Sequence, residues 1–299
     1  MKIQIVTDST SNIPKKVADE LGIKIIPLSF TFGEKQIKET EIDNVEFYKL
    51  MKSKNKIPQS SQPPLKEFID IYEECAQKGI KVLGIFLSDK MSGTYNTAVM
   101  AGEMVKENYG EFEVQVINSK TNCMDMGYAA IRAAEEAING KTFEAVQDMA
   151  KNILRCSRFL FAPKNLTYLR KGGRIGGAQA LIGNVLKINP ILTVNDEGGT
   201  DVFDKVRTQK KAIERILDKM KMETEFYGMQ NATVHHINEL KEAEKLANMV
   251  EKLTGIRPSI IPIGPVIGLH VGPGTIGLAY ATEREIRKER ICQQKGGIS

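Results

Sequence analysis

The sequence predicts two α/β domains: an N-terminal domain over residues 1–157 with a mostly parallel, doubly wound sheet, and a C-terminal domain over 158–282 with a mixed sheet. A tail, 283–299, follows. Three observations carry that reading. Through the first half, short apolar runs alternate with stretches of helical period, the pattern left by parallel crossover units. After Arg155, two apolar runs meet at Asp196-Glu197-Gly198-Gly199, a hairpin signal that a purely parallel sheet lacks. At 299 residues the chain is long enough for about two domain-sized cores.

Taken in order, Ile3, Ile5 and Val6 mark a buried strand that ends in the polar loop Thr7 to Asn12, where open α/β sheets usually keep their sites. A helix follows, with Pro14 near its first turn and Gly22 as its stop. Ile23 to Phe32 alternates as an extended arm or hairpin turning at Gly33. Asp43 with Glu46 reads as a capping box for the next helix. Ile57 to Pro64 is a hydroxyl-rich loop stiffened by prolines, and a helix runs from Pro64 to a stop at Gly79. Val82 to Leu87 is a strand, a helix starts at Ser92, and Phe112 to Val116 is another strand. Helices over about 126–138 and 142–154 complete the alternation.

In the second half, Phe159 to Phe161 is a strand and Leu166 to Ile175 leads into a short helix. Ile188–Val194 and Val202–Val206 form the hairpin. Helix Gln209–Met220, strand Ala232–Ile237, helix Leu240–Leu253 and strand Ser259–Ile263 come next. Gly264 to Gly274 reads as a glycine-dense loop holding the lone His270, followed by the apolar Ile276–Ala281. From Glu283 onward, Arg284, Arg287, Lys288 and Arg290 suggest a solvated helix that frays.

Composition narrows the function classes. A net charge of +5, few aromatics and no tryptophan leave little basis for a nucleic-acid surface with stacking platforms. The start is not a signal-peptide layout, and no apolar run spans a bilayer. Cys75, Cys123, Cys156 and Cys292 are scattered without a CxxC pair, so neither a zinc site nor a disulfide framework is expected, and a reducing cytoplasm is the natural compartment.

The chemistry gathers around Leu87 to Ala98. A helix start offers free backbone N–H groups and a positive dipole end, so Ser92, Gly93 and Thr94 would suit an anion. Serine is also among the best helix caps, and for Ser92 the two readings stand equal. His270 reads either as a loop histidine bonded to backbone or as an anion ligand or base, and His235 and His236 read as structural. Ser92, His270 and Asp8 would compose a hydrolase triad, but the GxSxG elbow is missing. Gly272 to Gly277 matches GxGxxG without room for the βαβ unit or the later acid, and Gly172 to Gly177 lacks a Walker A ending. Lys171, Arg174, Arg207, Lys210 and Lys211 form two basic groups suited to solvent, phosphate or an acidic partner.

Five stretches together resemble the DegV family of bacterial fatty-acid-binding proteins, the carrier subunits of fatty acid kinases: Thr7-Asp8-Ser9, Pro58 to Pro63, Met91 to Tyr95, Tyr168 to Ile175, and His270 to Gly274. They stand in the family's order. The resemblance implies one acyl chain in a tunnel between or beside the domains, its carboxylate held by Ser92 with Gly93 and Thr94, by Ser60 with Ser61, and by His270. It implies no cofactor and no catalysis by this chain alone. A separate ATP-binding kinase would phosphorylate the presented carboxylate and feed phospholipid synthesis, with Lys171, Arg174 and Arg207 facing that kinase or the phosphate, and with transient contact at a membrane surface. The rival reading is an enzyme, either a serine esterase using Ser92 and His270 or a small-molecule phosphotransferase. The chain departs from the family pattern at Ser60, where threonine is usual, at Asn118-Ser119 for Asp-Ser, and at Ser88-Asp89 for two serines. Asp89 adds a negative charge beside the expected anion site.

Overall fold

The computed structural model of the protein describes residues 2–53, 56–182 and 188–287. The first elements are β1 (Ile3–Asp8), α1 (Lys15–Leu21), β2 (Lys24–Ile26), β3 (Ser29–Phe32), β4 (Lys35–Lys38), α2 (Asn44–Ser53), β5 (Gln59–Ser61) and α3 (Leu65–Gln77). Next come β6 (Lys81–Phe86), α4 (Thr94–Asn108), β7 (Val114–Asn118), α5 (Cys123–Ile138) and α6 (Phe143–Cys156). The remainder is β8 (Ser157–Ala162), α7 (Thr167–Lys171), β9 (Asn189–Val194), β10 (Thr200–Val206), α8 (Gln209–Tyr227), β11 (Asn231–His236), α9 (Leu240–Thr254), β12 (Ser259–Pro262), α10 (Pro265–Val271) and β13 (Ile276–Ala281).

Among the described residues these strands form three sheets. β2-β1-β6-β7 is wholly parallel. Helices α3 and α4 lie against its β6–β7 side and α5 packs on β1 and β6, as the strand-and-helix alternation predicts. The C-terminal sheet, β10-β9-β8-β13-β11-β12, is mixed: only β11 and β12 run parallel. The segment read as an arm or hairpin is the β3–β4 hairpin, and the hydroxyl-rich loop after Pro58 adds β5 to its other edge, making a third, antiparallel sheet.

Helix α5 joins the two large sheets. Its residues Cys123 to Ala130, with Ala133 and Ala134, are all buried, and it packs against β1 and β6 as well as β8 and β13. Its N-terminal half is buried on every side, and the small Gly127 and alanines there let both sheets approach closely. One apolar core therefore runs from Ile5 and Leu83 through Ala129 to Phe159 and Ala279.

Several elements differ from expectation. The supposed glycine loop is helical over Pro265–Val271: Pro265 occupies the first helical turn, where its missing N–H costs nothing, and Gly272, at φ 83°, ends the helix. The misleading glycine, Gly268, sits mid-helix because a Cβ there would lie 1.7 Å from the Tyr48 hydroxyl. Helix α4 starts at Thr94 with Gly93 in the capping position, so Ser92 precedes the cap. Helix α5 starts three residues before Met126, and α8 continues past Met220 to Tyr227. In the tail, Glu283 to Arg287 is irregular, and Arg287 is buried with its Nε 2.7 Å from Asp196. A buried guanidinium needs a carboxylate and carbonyls more than a helix. The rest of the expected tail helix, with Lys288, Arg290 and Cys292, lies outside the described residues. Cys75, Cys123 and Cys156 are buried free thiols, and no group of residues suited to hold a metal occurs among the described residues.

Candidate functional site

Strand β5, at the edge of the small antiparallel sheet, carries Ser60. Its three residues are bounded by Pro58 on one side and Pro63-Pro64 on the other, which confine the strand, and Ser60 pairs with Phe30 of β3. From the opposite side, the last turn of α10 presents His270. The Ser60 hydroxyl lies 2.9 Å from His270 Nε2.

The histidine is tightly enclosed. Gly172, just past α7, stands so near that a Cβ on it would lie 2.2 Å from His270 Nδ1. That Nδ1 is buried and has no hydrogen-bond partner among the described residues. Burial pushes the imidazole down to about 4, and the Arg174 charge adds to the effect, so the ring is neutral near pH 7.

Ser92 enters from the β6–α4 connection. Ser88 carbonyl accepts from Met91 N and Ser92 N, folding a tight turn, and the Ser92 hydroxyl bonds Thr94 N at 3.3 Å and Thr94 Oγ1 at 2.9 Å. Gly93 is held against Gln62, since a Cβ there would lie 2.1 Å from Gln62 Oε1. Gln62 in turn donates to Thr97 Oγ1 at 2.7 Å, tying the β5 loop to α4.

Two spaces meet at these residues. An enclosed cavity of about 180 Å³ is walled by apolar Leu28, Phe159, Phe161, Leu169, Ile263 and Ile267, with Ser60, Ser61, Ser92, Gly93, Asn122 and His270 among its polar lining. A larger cleft, about 1070 Å³, shares Ser60, Arg174 and His270 with it and carries Lys52, Lys56 and Lys171. Among the described residues, neither lining contains an aspartate or glutamate. Arg174 closes the seam between them, its Nε donating to Met91 O at 3.1 Å and its Nη1 to Gly172 O at 2.7 Å.

Of the residues singled out in the sequence, Ser60, Ser61, Ser92, Gly93, His270 and Arg174 thus converge on the enclosed cavity, and Lys171 lines the cleft. Thr94 is buried behind Ser92 and lines neither space, and Arg207 is exposed beyond the end of β10. Asp89 is exposed and absent from both linings. Asp8 does not serve a triad: its carboxylate accepts from Leu87 N and Thr10 N at 2.9 Å each, pinning two loops at the ends of neighbouring strands. His235 is structural, its Nδ1 bonded to Ile261 O and its Nε2 accepting from Met124 N. Asn122 carried no signal in sequence, and Gly172 only as part of the Tyr168 to Ile175 stretch, because their roles come from contacts with segments far along the chain.

Comparisons with known proteins bear on family and fold. The family model described as "Uncharacterised protein, DegV family" matches residues 2–283. A DegV domain-containing protein of Clostridium acetobutylicum is 47% identical over 287 residues, 96% of this chain and all of that one. Among solved structures, Bacillus subtilis DegV, named as a fatty acid binding protein, is 33% identical with a TM-score of 0.85 over 94% of this chain and 99% of its own. A stearic acid-binding protein from Eubacterium ventriosum superposes with a TM-score of 0.86 at 26% identity, covering 94% of this chain and 98% of its own. With a match running almost end to end, both in family pattern and in fold, this chain belongs to the DegV family.

Proposed function

We propose that the protein is a fatty-acid carrier. The acyl chain lies in the enclosed cavity among Leu28, Phe159, Phe161 and Ile267, and the carboxylate is held by Ser60, Ser92 and His270. The observation that carries this reading is the Ser60–His270 pair, set where an apolar cavity opens into a cleft with four cations and no carboxylate in its lining. Each buried methylene is worth about 0.8 kcal/mol, so a long chain gains enough to outweigh the cost of immobilisation. Hydroxyls and a histidine that a nearby carboxylate would charge offset the desolvation of the head group. The solved relatives named for fatty-acid or stearic-acid binding support the same ligand class.

In this reading the carrier acts in the cytoplasm without a cofactor, its parts 1–157 and 158–282 serving as two domains. It offers the carboxylate through the cleft to a separate ATP-dependent kinase, which converts it to an acyl phosphate for phospholipid synthesis. Lys171, Arg174 and Arg207 face that partner. No helix among the described residues is long and apolar enough to cross a membrane. An esterase is disfavoured because His270 is bonded to Ser60 and neither cavity lining supplies an acid to orient it. Native mass spectrometry of the purified protein, followed by denaturation and lipid extraction, tests the carrier. One fatty acid per chain is the expected result, and a protein that releases no lipid, binds none on addition and turns over esters refutes it.

A further inference from the structure

Asn122 is the one amide in the lining of the enclosed cavity besides Gln62, and it is 6% exposed. It occupies the capping position of α5, yet its side chain makes no capping bond. Its Nδ2 instead points at the Met91 sulfur, 3.0 Å away, while its Oδ1 is buried with no hydrogen-bond partner among the described residues. The orientation follows from chemistry. A thioether sulfur accepts weakly and cannot donate, so the nitrogen faces it and the oxygen is left over.

A buried acceptor without a donor is costly, and such groups are few in folded proteins. An ionised carboxylate cannot satisfy Oδ1, because it too only accepts. A hydroxyl can. Met91 precedes Ser92 in the chain, so Asn122 stands at the polar end of the cavity, beside the residues that hold the head group. We infer that Asn122 is a specificity residue for acyl ligands carrying a hydroxyl close to the carboxylate, with Asn122 Oδ1 accepting from that hydroxyl. This rests on the fatty-acid-binding reading and narrows its ligand class to hydroxylated fatty acids.

The test compares hexadecanoic acid with 2-hydroxy- and 3-hydroxyhexadecanoic acid by competition against a fluorescent fatty acid, in the unmodified full chain, Asn122→Leu and Asn122→Ala. Leucine keeps the branched skeleton with slightly more bulk and alanine truncates it, so a steric effect separates from loss of the acceptor, and neither change removes a helix cap. The unmodified chain is expected to prefer one hydroxylated acid over hexadecanoic acid by roughly five- to tenfold, and both variants to lose that ratio, whatever their own affinity for hexadecanoic acid. An unmodified chain that binds hexadecanoic acid without preferring either hydroxylated acid overturns the inference alone. So does a preference that survives both substitutions. If no acid binds the unmodified chain, the carrier reading falls, and this inference with it.

Discussion

The Ser60 hydroxyl and the His270 imidazole, 210 residues apart in the chain, meet at 2.9 Å where the enclosed cavity opens into the cationic cleft. Nothing local selects that contact. β5 is positioned by its pairing with β3, and α10 by packing against α2, β3 and β5, so the pair exists only in the folded chain.

Ser60→Ala and His270→Ala are each expected to weaken fatty-acid binding by about tenfold or more, consistent with losing a hydrogen bond to a charged group. Ser60→Thr, which keeps the hydroxyl, retains most of the affinity. Binding also takes up a proton, because His270 is held down at about 4 before a carboxylate arrives and is raised by one beside it. Affinity is therefore expected to rise as pH falls through the histidine's raised pKa in the complex, and His270→Asn to flatten that slope. Titration calorimetry in buffers of different ionisation enthalpy reads both effects, and an unchanged affinity in both alanine variants refutes the site.

Gly172 and Gly173 separate a functional glycine from a conformational one. A Cβ on Gly172 meets His270 Nδ1 at 2.2 Å, whereas one on Gly173, at φ 70°, meets nothing within 4 Å. Gly172→Ala is expected to displace the imidazole and lower fatty-acid affinity with little change in melting temperature. Gly173→Ala should cost roughly 1–2 kcal/mol of stability through its left-handed backbone and leave affinity intact. Equal affinity loss in the two variants, measured beside thermal melts, contradicts the close packing of Gly172 on the histidine.

Much of this arrangement was legible in sequence because it is written in periodicity. The strands from Ile3 and Val82 and the helices between them follow from apolar spacing, and Ser60, Ser92 and His270 follow from short stretches standing in a family's order. What stayed hidden depends on tertiary contact. Helix α10 reads as loop because Gly268 lowers helix propensity, and only the Tyr48 hydroxyl pressed against it explains why glycine is there. The burial of Arg287 depends on Asp196 and Val194 O, far earlier in the chain. Basic character alone likewise could not separate Arg174, at the seam of both cavities, from Arg207, outside them.

Those two arginines should behave differently. Arg174→Ala removes the bonds to Met91 O and Gly172 O that hold the Ser92 turn against the end of α7, and is expected to speed fatty-acid release several-fold. Arg207 lines neither space, so Arg207→Ala is expected to leave release unchanged; under the proposed hand-over to a kinase it would affect that transfer alone. Stopped-flow displacement of a fluorescent fatty acid distinguishes them, and identical release rates in the two variants negate the role of Arg174 as a clasp.

Glu39 links the cavity wall to pH. Its carboxylate accepts from Val266 N, 2.9 Å away in the first turn of α10, and from the Ser9 hydroxyl. Burial raises it to about 7 from an ordinary 4.5; the Ser9 and Val266 bonds oppose the rise and the Asp8 charge adds to it. A group raised on folding stabilises the protein fully below its unfolded value and loses that contribution as pH climbs through the folded one. Between about pH 4.5 and 7 the loss is roughly 3 kcal/mol, at 1.36 kcal/mol per unit. His235 and His270, both held down at about 4, act with the opposite sign, costing stability as pH falls from 6.5. Glu39→Gln can still accept from Val266 N but cannot ionise. Urea unfolding of this variant between pH 5 and 8 is therefore expected to show a smaller loss of stability on raising pH than the unmodified chain, and parallel pH profiles would exclude Glu39 as the titrating group.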